Sequence, residues 1–432
     1  MNVGCIPTKA LVRSAEAIHS ARRGAEFGFR AEVEVDFPAI VARKNRIVAA
    51  SVGGLERSLE ENPRIDLVRG WARFAGTGQI AVDRRELTSE RVIVASGVQP
   101  HLPDIPGLDE VPFLTNETVM DLEELPSHLI VLGGGAESLE FGQAFRRFGS
   151  AVTIVQRNRR LAPREDPEIS AAIEEILREE GIEVLTGTAP ARVSRRAGRI
   201  VVETDAGKEV EGDGLLVSTG RRPHALEELG IAKAGIEGDS ARGIAIDEEL
   251  RTTASGVWAI GDVMGRVQHT HFATYTAGIA VANAFAGEHR RYGLGRVPGA
   301  IFTDPEIASV GPTAEEAAAQ GRRVKVGRQE MRKVGRVRAM GETKGFVKFV
   351  VDADTDELLG MHVLAYHGAD LLHEGVIAMS GTGTLAPLLD CICIHPTFSE
   401  GVKSAAGSLR EVEVPDAAGG LPDERIHPSD IA

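Results

Sequence analysis

A chain of 432 residues with 43% hydrophobic content is long enough to bury more than one core, so two or three domains are expected. A formal charge of −14 argues against nucleic acid and anionic membrane surfaces as partners, and 4% aromatic content offers no stacking platform for single-stranded nucleic acid. There is no apolar run of membrane-spanning length and no signal-peptide pattern at Met1, and three cysteines are no disulfide framework; a cytoplasmic protein fits, any disulfide being catalytic.

The chain opens Asn2-Val3-Gly4-Cys5-Ile6-Pro7-Thr8-Lys9, and a helical run follows to about Arg22. Pro7 suits a first helical turn, which puts Cys5 at the helix N-terminus, where the dipole favours a thiolate. Lys9 adds positive charge one turn on. Residues 11 to 62 read as two helical stretches around a polar break, with a brief alternation at Val33, Val35 and Phe37. Short strands are expected at 66–68, 80–82 and 91–95, the last running into Ser96-Gly97. Five prolines between residues 98 and 126 mark a connection between domains.

The apolar strand Leu129–Leu132, the turn Gly133-Gly134-Gly135, a helical run over 137–148 and the strand 151–155 then form a unit of dinucleotide-binding length. Gly133 permits the tight turn, and Gly135 lets the backbone approach a pyrophosphate at the helix N-terminus. The second strand ends in Gln156-Arg157-Asn158-Arg159-Arg160, with no carboxylate for ribose hydroxyls and three arginines for a phosphate, which favours NADPH over NADH. By spacing alone Glu140 is a polar residue facing solvent. An acidic helix at 168–180 and strands near 182–185, 191–193, 200–204 and 215–219 precede a second tight turn at Gly220. A strand ends in Gly261-Asp262, and His269, His271 and Tyr275 follow; by type these could bind a metal, but no Cys, Asp or Glu completes a set. Strands at 345–351 and 358–363 and a helix at 369–379 lead to His395-Pro396-Thr397-Phe398-Ser399-Glu400. A histidine oriented by a carboxylate is the usual acid/base arrangement. Cys391 and Cys393 share a face if extended; a second thiol relay is one reading of the pair, and buried core thiols are the expectation.

In order, these stretches resemble the flavin-dependent pyridine nucleotide–disulfide oxidoreductases, the family of dihydrolipoamide dehydrogenase and mercuric reductase. The opening matches its Cys-x-Asn-x-Gly-Cys-x-Pro-[Ser/Thr]-Lys segment from Asn2 onward, and residues 395–400 match His-Pro-Thr-x-x-Glu. The resemblance implies two Rossmann-like nucleotide-binding domains, the first incomplete at its N-terminus, plus a C-terminal α+β dimerisation domain. It divides the chain into a partial FAD-binding domain (1–124), an NAD(P)-binding domain (125–223), a return to the FAD-binding and central region (224–296) and a dimerisation domain (297–410), while composition alone marks 411–432 as a disordered tail. It implies that Cys5 is the flavin-proximal thiol, that Lys9 and Glu140 pair beside the flavin, and that His395 and Glu400 serve the cysteines of the other subunit in a homodimer. Gly261 and Asp262 would hold the ribityl chain of FAD, Ser96 and Gly97 would close against its nucleotide, and His271 would pack near the flavin. Gly133, Gly135, Ser138, Gln156, Arg157 and Gly220 would line the nicotinamide nucleotide; a non-glycine at Ser138 is commoner in the family's NADPH enzymes. The family's first cysteine and ADP-binding loop fall before Met1, which predicts a reading frame extending upstream. The expected activity is transfer of electrons from NAD(P)H through flavin and cysteine to a disulfide. The histidine, without a C-terminal cysteine pair, favours an organic disulfide over mercuric ion. A flavin oxidase, a transhydrogenase and a non-catalytic nicotinamide-binding dimer are the alternatives.

Overall fold

Four parallel strands in the order Gly214–Val217, His128–Leu132, Ala151–Gln156 and Glu183–Thr186 carry the glycine turn. The computed structural model describes residues 2–223 and 225–413. Among the described residues, 2–49, 102–219 and 296–413 form one unit; 50–101 and 220–295 form another.

In the first unit, Leu129–Leu132 are fully buried, as strands covered on both faces require. The crossover is the helix Ala136–Phe148, and the register pairs Leu129 with Val152 and Leu132 with Val155. Leu139, Phe141 and Phe145 of that helix join one core with Leu11 and Ala15 of the N-terminal helix Cys5–Arg22. Phe37, Phe145 and Phe148 form a triangle with ring centroids 5.7–5.9 Å apart. Three antiparallel strands (Pro190–Arg196, Arg199–Thr204 and Glu209–Gly212) are inserted before the last parallel strand. The C-terminal part is a six-stranded antiparallel sheet, in which Leu358–Ala365 lies between Glu306–Val310 and Phe346–Asp352. The helices Gly368–Ser380 and Ser399–Ala406 contribute Leu371, Leu372, Val402 and Ala405 to its core.

In the second unit, Val257–Ala259 pairs in parallel with Val92–Val94, and the helix Thr270–Ala286 follows. Among the described residues no helix is long and apolar enough to cross a membrane.

Two local expectations fail, at residues 66–68 and at the C-terminal end. Residues 66–68 form no strand. Val33 and Val35 lie in irregular chain, and Phe37 opens the helix Phe37–Glu60, where Asp36 Oδ1 accepts from Ala39 N at 3.0 Å. At the C-terminal end, Arg410–Glu411 pairs with Val326 and Lys325 as an edge strand. From residue 414 on, the expected disordered tail lies outside the described residues.

Candidate active site

Cys5 is the exposed first residue of its helix. The turn beneath it is pinned at Gly4, whose carbonyl accepts from Thr8 N at 3.1 Å and Thr8 Oγ1 at 2.8 Å. Asn116 Nδ2 donates to Val3 O at 3.0 Å and fixes the preceding residue. One turn on, Lys9 Nζ lies 3.1 and 2.8 Å from the two carboxylate oxygens of Glu140, the pairing that the resemblance implied. Glu140 is not the solvent-facing residue its spacing indicated: its side chain is only 4% exposed. Phe302 N also donates to Glu140 Oε1 at 2.8 Å, and Lys9 Nζ stands 4.5 Å from the centre of the Phe302 ring.

Two further polar side chains on the same helix face were not singled out in the sequence. Gln143 exchanges hydrogen bonds with the backbone of Asp304, at 2.8 and 2.9 Å. Arg147 pairs with Glu180 and Asp304, each at 2.8 Å. Burial opposes the charge of Arg147, but these two carboxylates outweigh it and hold the guanidinium above its ordinary value. Glu140, Gln143 and Arg147 together dock the nucleotide-fold helix onto residues 302–304, which carries its position back to Lys9.

At the glycine turn, Gly133 has φ +117°, and a Cβ there would lie 2.2 Å from Ser218 O, so only glycine fits. Gly135 is the N-cap of the helix, and a Cβ on it would meet nothing within 4 Å. This open helix N-terminus suits the pyrophosphate of a nicotinamide dinucleotide. Ser138 is buried and turned inward, its Oγ donating to Ser218 O at 3.4 Å. Gln156 is buried, with Nε2 donating to Arg160 O at 3.4 Å, whereas Arg157 and Arg159 are exposed.

In the second unit, Gly261 has φ +68°, and a Cβ on it would lie 2.9 Å from Ala273 Cβ. Gly261 N donates to the buried Thr276 Oγ1 at 3.2 Å, which clamps the Gly261-Asp262 turn to the following helix. Thr276 carries no motif signal and was missed. Burial pushes the Asp262 carboxyl up, and Arg221, 3.9 Å away, offsets this in part. Nearby, the buried Gln268 Oε1 has no protein partner. A desolvated carboxylate and an unmatched amide oxygen both suit a polyhydroxyl donor such as the ribityl chain of FAD. Ser96 and Gly97 lie just past the strand that pairs with Val257–Ala259. The Gly220 carbonyl accepts from His101 N at 2.8 Å, and the His269 and His271 rings stack at 5.2 Å.

The C-terminal dyad is formed within the first unit. His395 Nδ1 lies 2.8 Å from Glu400 Oε1, and Thr397 N donates to Glu400 Oε2 at 3.0 Å. These two bonds, that of His395 first, hold the Glu400 carboxyl below the usual range. A carboxylate only accepts, so His395 donates from Nδ1, which leaves Nε2 as the ring nitrogen that can exchange a proton. The His395 side chain is 79% exposed. The expectation for the nearby thiols is overturned: Cys391 is exposed and Cys393 half-buried, because the segment 391–394 lies at the surface with Ile392 98% exposed.

The sequence matches the pyridine nucleotide-disulphide oxidoreductase family over residues 1–277 and that family's dimerisation domain over 297–406. It is 36% identical to the dihydrolipoyl dehydrogenase of Thermus scotoductus, over 95% of this chain and 89% of that one. It is 35% identical to a mercuric reductase of Bacillus cereus, over 94% of this chain and 65% of that one, so the chain spans about two thirds of that relative's length. Its fold superimposes on the HOCl-induced flavoprotein disulfide reductase RclA of Escherichia coli with a TM-score of 0.85, at 30% identity, covering 94% of this chain and 90% of that one. The chain belongs to the pyridine nucleotide–disulphide oxidoreductases, a family of flavin-dependent NAD(P)H–disulfide oxidoreductases with a C-terminal dimerisation domain.

Proposed function

We propose that this protein reduces an organic disulfide with NADPH, as a cytoplasmic homodimer. The observation that carries the reading is the dyad: Glu400 fixes the His395 tautomer and leaves Nε2 exposed to give and take a proton. A disulfide reductase needs this group, since each thiolate that leaves during exchange must be protonated. His395 serves Cys5 of the partner protomer. FAD would supply the two-electron chemistry by which NADPH reduces a disulfide that includes the sulfur of Cys5. Cys5 is the flavin-proximal sulfur, at the positive end of its helix. Lys9, held by Glu140, presents its ammonium to the flavin side of the same helix. Asp262 and Gly261 receive the ribityl chain, with Ser96, Gly97 and His271 around the rest of FAD. Gly133 and Gly135 receive the pyrophosphate of NADPH, and Ser138 and Gln156 shape the turn from within. Exposed Arg157 and Arg159, with no carboxylate at the strand end, support the preference for a 2′-phosphate.

Stopped-flow kinetics on the FAD-loaded protein separate flavin reduction by NADPH from disulfide reduction. Cys5→Ser is expected to abolish disulfide turnover, and His395→Gln to slow it roughly 10²–10⁴-fold. Full turnover in either variant overturns the assignment.

A further inference from the structure

Cys391 and Cys393 take no part in the function proposed above, yet their sulfurs lie 3.6 Å apart, in van der Waals contact. That contact puts both side chains on one side of the segment, and His395 is the next alternate residue. The segment is anchored at its start. Cys391 Sγ donates to Leu388 O at 3.1 Å, and Lys403 Nζ donates to Cys391 O at 2.6 Å. It is anchored at its end by the His395–Glu400 bond. Closing a disulfide requires the sulfurs to approach from this contact to roughly 2.05 Å, a small side-chain movement.

We propose that Cys391 and Cys393 form a second dithiol–disulfide couple that exchanges with the disulfide substrate beside the His395–Glu400 dyad. The substrate class rests on the function proposed above; the couple itself does not. Burial and the adjacent Cys391 push the Cys393 thiol up, which leaves the more exposed Cys391 as the attacking sulfur. Its thiolate displaces R′S⁻ from RS–SR′ and forms a mixed disulfide with RS. Cys393 then displaces RS⁻ and closes the Cys391–Cys393 bond. Each leaving thiolate takes up the proton that the attacking thiol gave up. Two protein thiols are oxidised and one disulfide becomes two thiols, with no other oxidant consumed. A ring closed across one residue is strained, and strained disulfides are the labile ones, suited to passing oxidation on.

The test uses the full-length, FAD-loaded protein equilibrated with excess hydroxyethyl disulfide, quenched in acid, alkylated and digested. The peptide spanning both cysteines is expected unalkylated and two hydrogens lighter than the dithiol, and doubly alkylated after dithiothreitol. Cys393→Ser is expected to trap the mercaptoethanol adduct on Cys391. A wild-type peptide that stays doubly alkylated at disulfide excess overturns the couple. This readout needs no NADPH, so it is separable from the proposed function. An oxidised peptide without NADPH-driven turnover keeps the couple and removes the function, and turnover with an unreacted pair does the reverse.

Discussion

Removing the charge of Glu140 tests how the helix carrying Cys5 is held. At about 2.8 Å and an effective dielectric of about 20, the attraction between Lys9 and Glu140 is roughly 6 kcal/mol before desolvation. Burying Glu140 takes back several kcal/mol, and Lys9, with 34% of its side chain exposed, recovers part of its hydration when the pair breaks. A net coupling of roughly 1–2 kcal/mol is therefore expected. Glu140→Gln keeps an oxygen for Phe302 N and loses mainly this coupling. Glu140→Leu also strands the Phe302 amide and the Lys9 ammonium, and is expected to cost roughly 3–5 kcal/mol. A double-mutant cycle with Lys9→Met, read from urea unfolding by far-UV circular dichroism, measures the pair directly. A coupling below about 0.5 kcal/mol, or equal losses for Gln and Leu, would refute the reasoning.

Thr276→Val leaves the Gly261 amide without its hydroxyl acceptor, a loss of roughly 1–3 kcal/mol, and FAD affinity measured by fluorescence titration should fall about tenfold; unchanged affinity would detach Thr276 from the cofactor turn. Burial pushes the Glu165 carboxyl up to about 7. A carboxyl whose folded value exceeds its unfolded 4.5 disfavours folding once ionised: the penalty is absent below 4.5, grows through that window and is complete above about 7. Glu165→Gln should therefore stabilise the protein by roughly 2–4 kcal/mol at alkaline pH and by little in acid, and a pH-independent effect in thermal unfolding would contradict this. Phe145→Ala removes one corner of the aromatic triangle and should lower stability by roughly 3–5 kcal/mol; a loss under about 2 kcal/mol would mean that the core collapses around the gap.

What was legible in the sequence is local in the chain. The strand, glycine turn and helix around Gly133 are set by neighbours within a few residues, and the His395–Glu400 bond closes across five positions, so spacing carries both. What was not legible depends on chain brought from afar. From their own turn Glu140, Gln143 and Arg147 look like a solvated helix face; the family resemblance supplied the Lys9–Glu140 pair, but nothing in the sequence said that Phe302 and Asp304 would cover the rest. Hydrophobic periodicity misleads here for a definite reason. A face that docks through ion pairs and backbone hydrogen bonds is polar in composition and buried in fact. The reverse error occurs at Cys391–Ile394, where an apolar stretch that reads as core stands at the surface. Composition reports what a segment prefers to bury, whereas the fold decides which segments are covered within one chain.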